Sequence, residues 1–316
     1  MTGKDLEQAK NFLAAEELVA IPTETVYGLA ANALSPVAVS KIFTAKNRPS
    51  FDPLIVHTNR WERVSNWVKE IPELAHTLAS HFMPGPLTLL LPKKEVIPDL
   101  VTAGLPKVGI RLPSHPMTQS LLAKLDFPVA APSANPFGYI SPTTAEHVAD
   151  QLGGKVSYIL DGGPCSVGVE STIISFEEGR AIVLRKGGIP VEAIENLIGP
   201  VQLKAHSTSN PQAPGMLKSH YAPKVPFLLG NLTELLDQEK GKRIGILSFQ
   251  QKRSHENITH QVILSPDGNL AEAAQRLFAA MREMDQMDLD VILAEYFPEE
   301  GLGRAINDRL SRAAAK

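Results

Sequence analysis

Two cations on one short segment are the side chains best placed to act on a phosphate. Lys46 and Arg48 stand one residue apart, just ahead of the apolar segment 53–57. Arginine offers a planar fork of donors and lysine a mobile point charge, so together they can bind a polyphosphate from two directions. Ser133 and Asn135 follow another apolar run, and open α/β sheets bind ligands at the carboxyl ends of their strands. Together, the basic segment and the Ser133–Asn135 segment predict a nucleotide site. Considered without the second segment, Lys46 and Arg48 fit a solvated surface turn as well.

Other polar side chains also follow predicted strands. Thr25 lies between the first predicted strand and Gly28, which permits close approach of the backbone. These hydroxyl groups suit a small polar ligand, and an ordinary capped turn fits them equally well. His57 ends the strand 54–58, where packing at a sheet edge is the default interpretation and ligand binding the alternative.

Two arginines are placed within or at the end of apolar strands. Arg111 lies inside the strand 108–112 and must have an anionic partner, because arginine is almost never buried unpaired. That anion is either a protein carboxylate or the carboxylate of a ligand, and we favour the ligand. Arg185 directly follows the strand 181–184 and so places a second cation at a strand end. Between them, the glycine-rich loop 161–172 can present backbone N–H groups, although such loops alone are weak evidence.

Composition bounds the class of protein. At 316 residues the chain is long for one core, so we expect two domains. A formal net charge of −3 argues against nonspecific nucleic-acid binding through bulk charge. A single cysteine, Cys165, cannot form an internal disulfide, and no apolar run approaches the ~20 residues that span a bilayer. With a polar first segment as well, we expect a cytoplasmic protein without a membrane segment.

The order of elements predicts an α/β fold in two parts. Short apolar strands alternate with amphipathic helices over residues 1–200, which predicts a twisted open mixed sheet covered by helices. Proline-rich residues 201–226 read as a semi-rigid linker with little core of its own. Residues 227–316 show a smaller, Rossmann-like α/β pattern, with strands over 243–249, 261–264 and 290–294 and a helix over 270–286. No phosphate-binding loop, dinucleotide fingerprint or metal-spaced cysteine or histidine pair is present, and we predict no protein metal site.

Taken in order, these motifs resemble the threonylcarbamoyl-AMP synthase family, whose catalytic module is the YrdC-like domain. The resemblance covers almost the whole chain. Each motif is weak alone, but their ordered series is specific, and residues 214–223 look like the linker of the long, two-domain form. The matching segments are 22–29, 46–57, 84–88, 108–113, 132–135, 161–172 and 185–188.

The resemblance implies an enzyme, a nucleotidyltransferase that joins L-threonine, bicarbonate or CO2, and ATP into threonylcarbamoyl-adenylate and releases pyrophosphate. It implies Mg2+ bound with ATP, delivery of the product to tRNA threonylcarbamoyl transferase proteins, and contact with tRNA as a further interaction. The implied catalytic residues are Lys46 and Arg48. The implied ATP-binding residues are Lys46, Arg48, Asp52, Lys107, Ser133, Asn135, Ser141, Arg185 and Tyr221, with Tyr221 closing over the pocket. The implied threonine-binding residues are Thr25, His57, Arg111 and Ser171, with Arg111 on the carboxylate.

Two positions depart from the family pattern. Asp52 stands where asparagine is common, and a carboxylate there repels a triphosphate unless it binds Mg2+ or pairs with Lys46 or Arg48. Lys107 stands where a small hydroxyl residue is common, and either contacts ATP or faces solvent.

Two other functions compete with the synthase. A double-stranded RNA-binding module is the main alternative, because the YrdC-like fold resembles one, and the net charge weakens it. A carbamoyltransferase that makes carbamoyl-adenylate is the second alternative. Such proteins usually carry additional zinc-finger regions, which the cysteine content here does not support.

Overall fold

The computed structural model of the chain describes residues 1–204 and 211–315. Eleven strands of the first part form one sheet and four strands of the second part form another. The strands of the first sheet are Thr2–Gly3 (β1), Val19–Ile21 (β2), Gly28–Asn32 (β3), Ile55–His57 (β4), Leu87–Pro92 (β5), Lys107–Arg111 (β6), Val129–Ala130 (β7), Tyr158–Leu160 (β8), Thr172–Glu177 (β9), Arg180–Arg185 (β10) and Gln202–Leu203 (β11).

The first sheet mixes parallel and antiparallel pairs in the order β1-β8-β2-β3-β7-β4-β6-β5-β9-β10-β11. Its central strands β4 and β6 run parallel, with His57 opposite Arg111, while β7 joins β4 to β3 by antiparallel pairing. This confirms the predicted mixed α/β sheet. The helices of this domain are Leu6–Ala14 (α1), Pro36–Lys46 (α2), Glu73–Phe82 (α3), Asp99–Thr102 (α4), Pro116–Ala123 (α5), Ala145–Leu152 (α6) and Val191–Ile198 (α7), with a 3-10 helix at Trp61–Asn66.

Helix α2 brings the first cation into the interior. It begins at Pro36 behind the N-cap Ser35, whose hydroxyl accepts the Ala38 N–H, and proline at the first position is pre-organised for a helix. The helix ends at Lys46, so Lys46 belongs to the helix and not to a turn. Asn47 follows in the left-handed region with φ 51°. Asparagine adopts that conformation more easily than most residues. The reversal leaves the side chains on both sides of Asn47 buried.

The second domain is a parallel sheet with helices, which confirms the Rossmann-like prediction. Its strand order is β12-β15-β13-β14, and the first of these strands follows Pro226 directly and was not predicted. The strands are Phe227–Leu229 (β12), Ile244–Ser248 (β13), Ile258–Ile263 (β14) and Val291–Ala294 (β15), and the helices are Leu232–Gln238 (α8), Leu270–Asp285 (α9) and Gly303–Ala314 (α10).

The two domains share a buried apolar cluster. Val26, Ile140 and Val169 of the first domain pack with α9 residues such as Phe278. At Gly168, with φ +78°, a Cβ atom would lie 2.4 Å from the Gln275 Cα atom. Only glycine therefore lets the 168 loop approach α9 this closely.

The predicted linker packs onto the first sheet instead of crossing solvent. Its residues 205–210 lie outside the described residues. Ala213 and Met216, each 1% exposed, join a core cluster with Ile55, Leu90 and Ile173. The described part of the linker therefore packs into a core that it shares with the first sheet, a contact that the sequence did not predict. None of the helices among the described residues is long and apolar enough to cross a membrane.

Candidate functional site

A polar cavity with about 470 Å³ of empty space lies between the first sheet and the linker residues 214–221. It lies at the ends of β4 and β6, where their parallel pairing places His57 beside Arg111. Its walls come from the first domain and the linker. The lining residues are Val26, Arg48, Ile55, His57, Arg111, Ala131, Pro132, Ser133, Glu170, Arg185, Pro214, Gly215, His220 and Tyr221.

Lys46 connects the basic segment with the Ser133–Asn135 segment, as the sequence predicted for one site. Its ammonium donates to the backbone carbonyl of Ser133 at 2.5 Å and to that of Asn135. Burial lowers the pKa of Lys46 well below its ordinary value, and the charge of Arg48 adds to this effect. An anion beside this amine would oppose both effects.

Arg48 and Asp52 form a buried pair with incomplete hydrogen bonding. Arg48 Nη2 lies 2.9 Å from Asp52 Oδ2, but the guanidinium directs its N–H bonds to the carbonyls of Asp52 and Pro53. Neither carboxylate oxygen of Asp52 accepts a hydrogen bond from the residues that the structure describes. Burial raises the pKa of Asp52, against the lowering effect of Arg48. Asp52 therefore pairs with Arg48, one of the partners that the sequence analysis named. Its carboxylate oxygens can still accept a hydrogen bond or contact a second cation.

Arg185, at the end of β10, also lines the cavity and reaches the linker. Its guanidinium donates to the backbone carbonyl and hydroxyl of Ser171, at 3.0 and 3.1 Å, and to the Pro214 carbonyl at 3.1 Å. Burial lowers the pKa of Arg185 to about 10, so it stays charged at neutral pH. A larger cleft of about 920 Å³ lies on its other side, but the remaining predicted site residues do not line that cleft.

Arg111 has a protein anion that the sequence analysis did not identify. Its Nη2 atom donates to Glu24 Oε1 at 2.7 Å, and the other Glu24 oxygen accepts the Ser114 backbone N–H at 3.1 Å. The structure thus provides the protein carboxylate, the alternative that we favoured less than a ligand carboxylate. The Arg111 Nε–H still has no acceptor within the described ranges, and the side chain lines the cavity. Binding of a second carboxylate by Arg111 stays a prediction.

His57 and Thr25 lie near this pair. His57 Nδ1 is 3.1 Å from the Ile55 carbonyl, and burial, with a smaller effect of Arg111, lowers its pKa to about 3. The imidazole is therefore neutral at physiological pH. The Thr25 hydroxyl is fully buried 2.9 Å from the Thr23 hydroxyl, directly before the cavity residue Val26.

Three predicted site residues are buried and lie outside the lining of the cavity. Ser141 donates to Glu170 Oε1 at 2.6 Å, and the Ser171 hydroxyl lies 2.7 Å from that of Thr88. Asn135 donates to the Pro136 and Tyr139 carbonyls, while its Oδ1 atom has no donor among the described residues. All three side chains are buried.

Tyr221 closes the cavity from the linker side. It has φ +64°, is buried, and packs at 5.4 Å from the Phe278 ring of α9. A Cβ atom at Gly215, itself at φ +76°, would lie 2.9 Å from the Tyr221 hydroxyl oxygen. Burial raises the pKa of Tyr221 to about 12, so the phenol stays protonated and can donate.

Lys107 is the predicted site residue that the structure places apart. It shares a face of β6 with Arg111 but stands four residues earlier, which is about 13 Å along a strand. Its amine donates to the Ser175 hydroxyl and the Phe176 carbonyl, each at 2.9 Å. It lines two smaller pockets beside the linker rather than the polar cavity.

The sequence analysis missed two cavity residues, Glu170 and His220, and two partners of cavity residues, Glu24 and Arg309. Glu24 and Glu170 lie inside quoted motifs, so their position next to Thr25 and Ser171 was the available signal. His220 precedes Tyr221 and lines the cavity. Arg309 lies on α10 and forms an ion pair with Glu170, 139 residues away in sequence. A local sequence pattern cannot predict a pair over that distance.

The fold and the cavity define an α/β protein in which a mixed sheet and a linker enclose a cation-lined site, and a parallel-sheet domain packs against the linker residue Tyr221. Comparison with known proteins agrees. A family model described as "Telomere recombination" matches residues 11–187, and the model "Threonylcarbamoyl-AMP synthase, C-terminal domain" matches residues 189–315.

Relatives match over nearly the full length. The threonylcarbamoyl-AMP synthases of Pyrococcus abyssi and Bacillus subtilis are each 42% identical, over 97% and 98% of this chain and 93% and 92% of theirs. The crystal structure of P. abyssi Sua5 complexed with L-threonine is 40% identical, with a TM-score of 0.93, over 99% of this chain and 97% of that one. The chain belongs to the threonylcarbamoyl-AMP synthase family, which favours the synthase interpretation over the RNA-binding and carbamoyltransferase ones.

Proposed function

We propose that this chain condenses L-threonine, bicarbonate or CO2, and ATP into threonylcarbamoyl-adenylate and releases pyrophosphate. One observation carries the proposal. In a chain of this family, Arg48, Arg111 and Arg185 line one cavity, and Lys46 lies behind its wall in contact with the lining residue Ser133. Because an adenylyl group is transferred, the activity is that of a nucleotidyltransferase.

The reaction does not require a nucleophilic side chain. The threonine amine, after its ammonium form has lost a proton to solvent, attacks CO2 and releases a second proton to form a carbamate. A carbamate oxygen then attacks the α-phosphorus of ATP, and the bond to the leaving pyrophosphate breaks. Charge repulsion and positioning make up most of that barrier, so cations and oriented donors are the groups that lower it. We assign no general base.

The phosphates bind along Lys46, Arg48 and Arg185. The first two arise from one helix end, and Arg185 faces them from β10. All three are buried, where a charge interacts more strongly than in water. The adenylate side uses Ser133, Asn135 and Ser141. Lys107 lies farthest from these residues and has the weakest support as an ATP ligand.

Threonine binds at the Arg111 side of the cavity. Arg111 uses its unpartnered Nε–H for the carboxylate, while the bound Glu24 balances the charge and faces the amine. The neutral His57, Thr25 and Ser171 supply polar contacts to the rest of the molecule. A zwitterionic amino acid needs this pairing of one cation with one anion.

Mg2+ accompanies ATP. The described residues contain no group of three acidic, histidine or cysteine side chains that would form a protein cage, and Mg2+ often retains water and phosphate oxygens as ligands. Among the residues that the structure describes, neither oxygen of the buried Asp52 carboxylate accepts a hydrogen bond, which fits a contact to such an ion or to its water. When bound, the ion reduces the charge of the phosphates.

Tyr221 and the linker exclude water from the reactants. We place the reaction in the cytoplasm and expect the unstable product to pass directly to tRNA-modifying proteins. Contact with tRNA itself is part of the same proposal.

Pyrophosphate release tests the function. ATP and Mg2+ are supplied with threonine and bicarbonate each present or withheld, and the adenylate is identified by mass. We expect release to need both co-substrates. Release without them would indicate a nucleotide hydrolase. With no release at all, salt-dependent binding of double-stranded RNA would replace the synthase proposal.

A further inference from the structure

A carboxylate stands in the wall of the cavity next to the phosphate-binding cations. Glu170 is 6% exposed and lines the cavity beside Arg185. Its Oε1 atom accepts the Ser141 hydroxyl at 2.6 Å, and its Oε2 atom accepts Arg309 Nε–H at 2.9 Å. Arg309 belongs to α10, so the second domain supplies the counter-charge of a residue in the first.

Arg309 contacts three parts of the site at once. Its side chain has no exposed surface. Besides Glu170, it pairs at 3.0 Å with Asp308, a carboxylate that Arg312 also contacts at 3.0 Å. It further donates to the Lys186 carbonyl at 2.7 Å, next to Arg185, and its guanidinium carbon lies 5.5 Å from the centre of the Tyr221 ring. The buried Arg309 guanidinium therefore contacts the cavity-wall residue Glu170, the loop after β10 and the linker residue Tyr221.

The charge of Glu170 matters because ATP is a polyanion. Burial alone would raise the pKa of Glu170, but Arg309, Arg185 and the Ser141 hydroxyl together lower it. The group is thus ionised at neutral pH. Without Arg309, this buried negative charge would repel the triphosphate or pair with Arg185 and withdraw it from the ligand.

We propose that Arg309 is a positioning residue contributed by the second domain, which neutralises Glu170 and so keeps Arg185 available to the phosphates of ATP. The inference deepens the proposed function and rests on it for the identity of the ligand. It gives the second domain a role in ATP affinity rather than in threonine affinity.

Calorimetric titration of ATP and of threonine, each alone, tests the role. Arg309→Met keeps the volume and removes the charge, and we expect the Kd for ATP to rise about tenfold. The Kd for threonine should stay within about twofold of wild type. Adding Glu170→Gln to this variant removes the unpaired negative charge and should return the ATP Kd to within about threefold of wild type.

The matched control removes an interdomain hydrogen bond that does not involve the cavity. Tyr139 donates to Asp285 Oδ2 across the same interface at 2.5 Å, and Tyr139→Phe should leave both affinities unchanged. If Arg309→Met does not fold, Glu170→Gln alone decides: its ATP affinity should equal or exceed that of wild type.

Equal losses for both ligands in Arg309→Met, no recovery in the double variant, or weaker ATP binding by Glu170→Gln would overturn the inference and leave Arg309 a purely structural residue. The proposed function fails separately, when wild-type protein binds ATP but releases no pyrophosphate with both co-substrates.

Discussion

The two sides of the cavity differ in charge balance. On the phosphate side, Lys46, Arg48 and Arg185 outnumber the carboxylates Asp52 and Glu170, and Glu170 is already paired with Arg309 of the second domain. On the threonine side, Arg111 is paired with Glu24 at 2.7 Å and the neighbouring His57 is neutral. One side therefore has an excess of buried positive charge, and the other has none.

This difference matches the charges of the two proposed substrates. A triphosphate carries several negative charges and compensates an excess of buried cations, while amino acids are zwitterions without net charge. Burying an uncompensated charge costs several kcal/mol. The phosphate side is therefore prepared for a polyanion, and the threonine side can exchange internal contacts for those of the amino acid.

Removing a phosphate-side cation should have the largest effect. Arg48→Ala deletes a buried guanidinium, and we expect kcat/KM for ATP to fall at least about 100-fold, comparable to loss of a donor to a transition-state charge. Steady-state rates of pyrophosphate release at varied ATP concentration measure this kcat/KM. Lys124→Ala, which removes an exposed lysine paired with Glu7, is the control for loss of one positive charge.

Removing the threonine-side cation should shift selectivity. We expect Arg111→Ala to raise the KM for threonine about 30-fold, because a carboxylate contact and the partner of Glu24 are both lost. The KM for ATP should change less than about threefold. Parallel increases in both KM values would show that the two sides are not separate.

Much of this arrangement was predictable from local sequence. Ser35 followed by Pro36 is a typical helix start, and the apolar run before Ser133 is typical of a buried strand. Strand β3 was missed because Gly28 to Asn32 is rich in glycine and alanine, which have low strand propensity and form a strand here only through pairing with β2 and β7.

The charge balance itself was not predictable. The Arg111–Glu24 pair joins residues 87 positions apart, and the Arg309–Glu170 pair joins residues 139 apart. Ion pairs between such distant residues depend on the strand order of the sheet and on domain packing. Neither the strand order nor the domain packing can be predicted from residue spacing. The cations were visible in sequence, whereas their partners were not.

The neutral state of His57 makes the threonine side sensitive to acid. Its pKa is about 3 in the folded chain against 6.5 unfolded, so the unfolded state binds its proton first as the pH falls. The free energy of unfolding should therefore decrease below pH 6.5, by about 2 kcal/mol between pH 6.5 and 5 for this one group. Urea unfolding of wild type and His57→Gln at both pH values measures it. An equal pH-dependent loss in both proteins would remove His57 as the cause.

Lys107 should give the smallest effect. Its amine already contacts Ser175 and Phe176, away from the cavity. We expect Lys107→Ala to raise the KM for ATP less than about threefold. An increase as large as that of Arg48→Ala would extend the phosphate side to β6 and contradict the boundary drawn here.

Direct binding tests the separation of the two sides. ATP and threonine are titrated separately into wild type, Arg48→Ala and Arg111→Ala by calorimetry. We predict a crossed result, in which Arg48→Ala weakens ATP binding and leaves threonine binding intact, and Arg111→Ala does the reverse. If either variant loses affinity for both ligands to the same extent, the cavity is one undivided site and the charge comparison does not explain its selectivity.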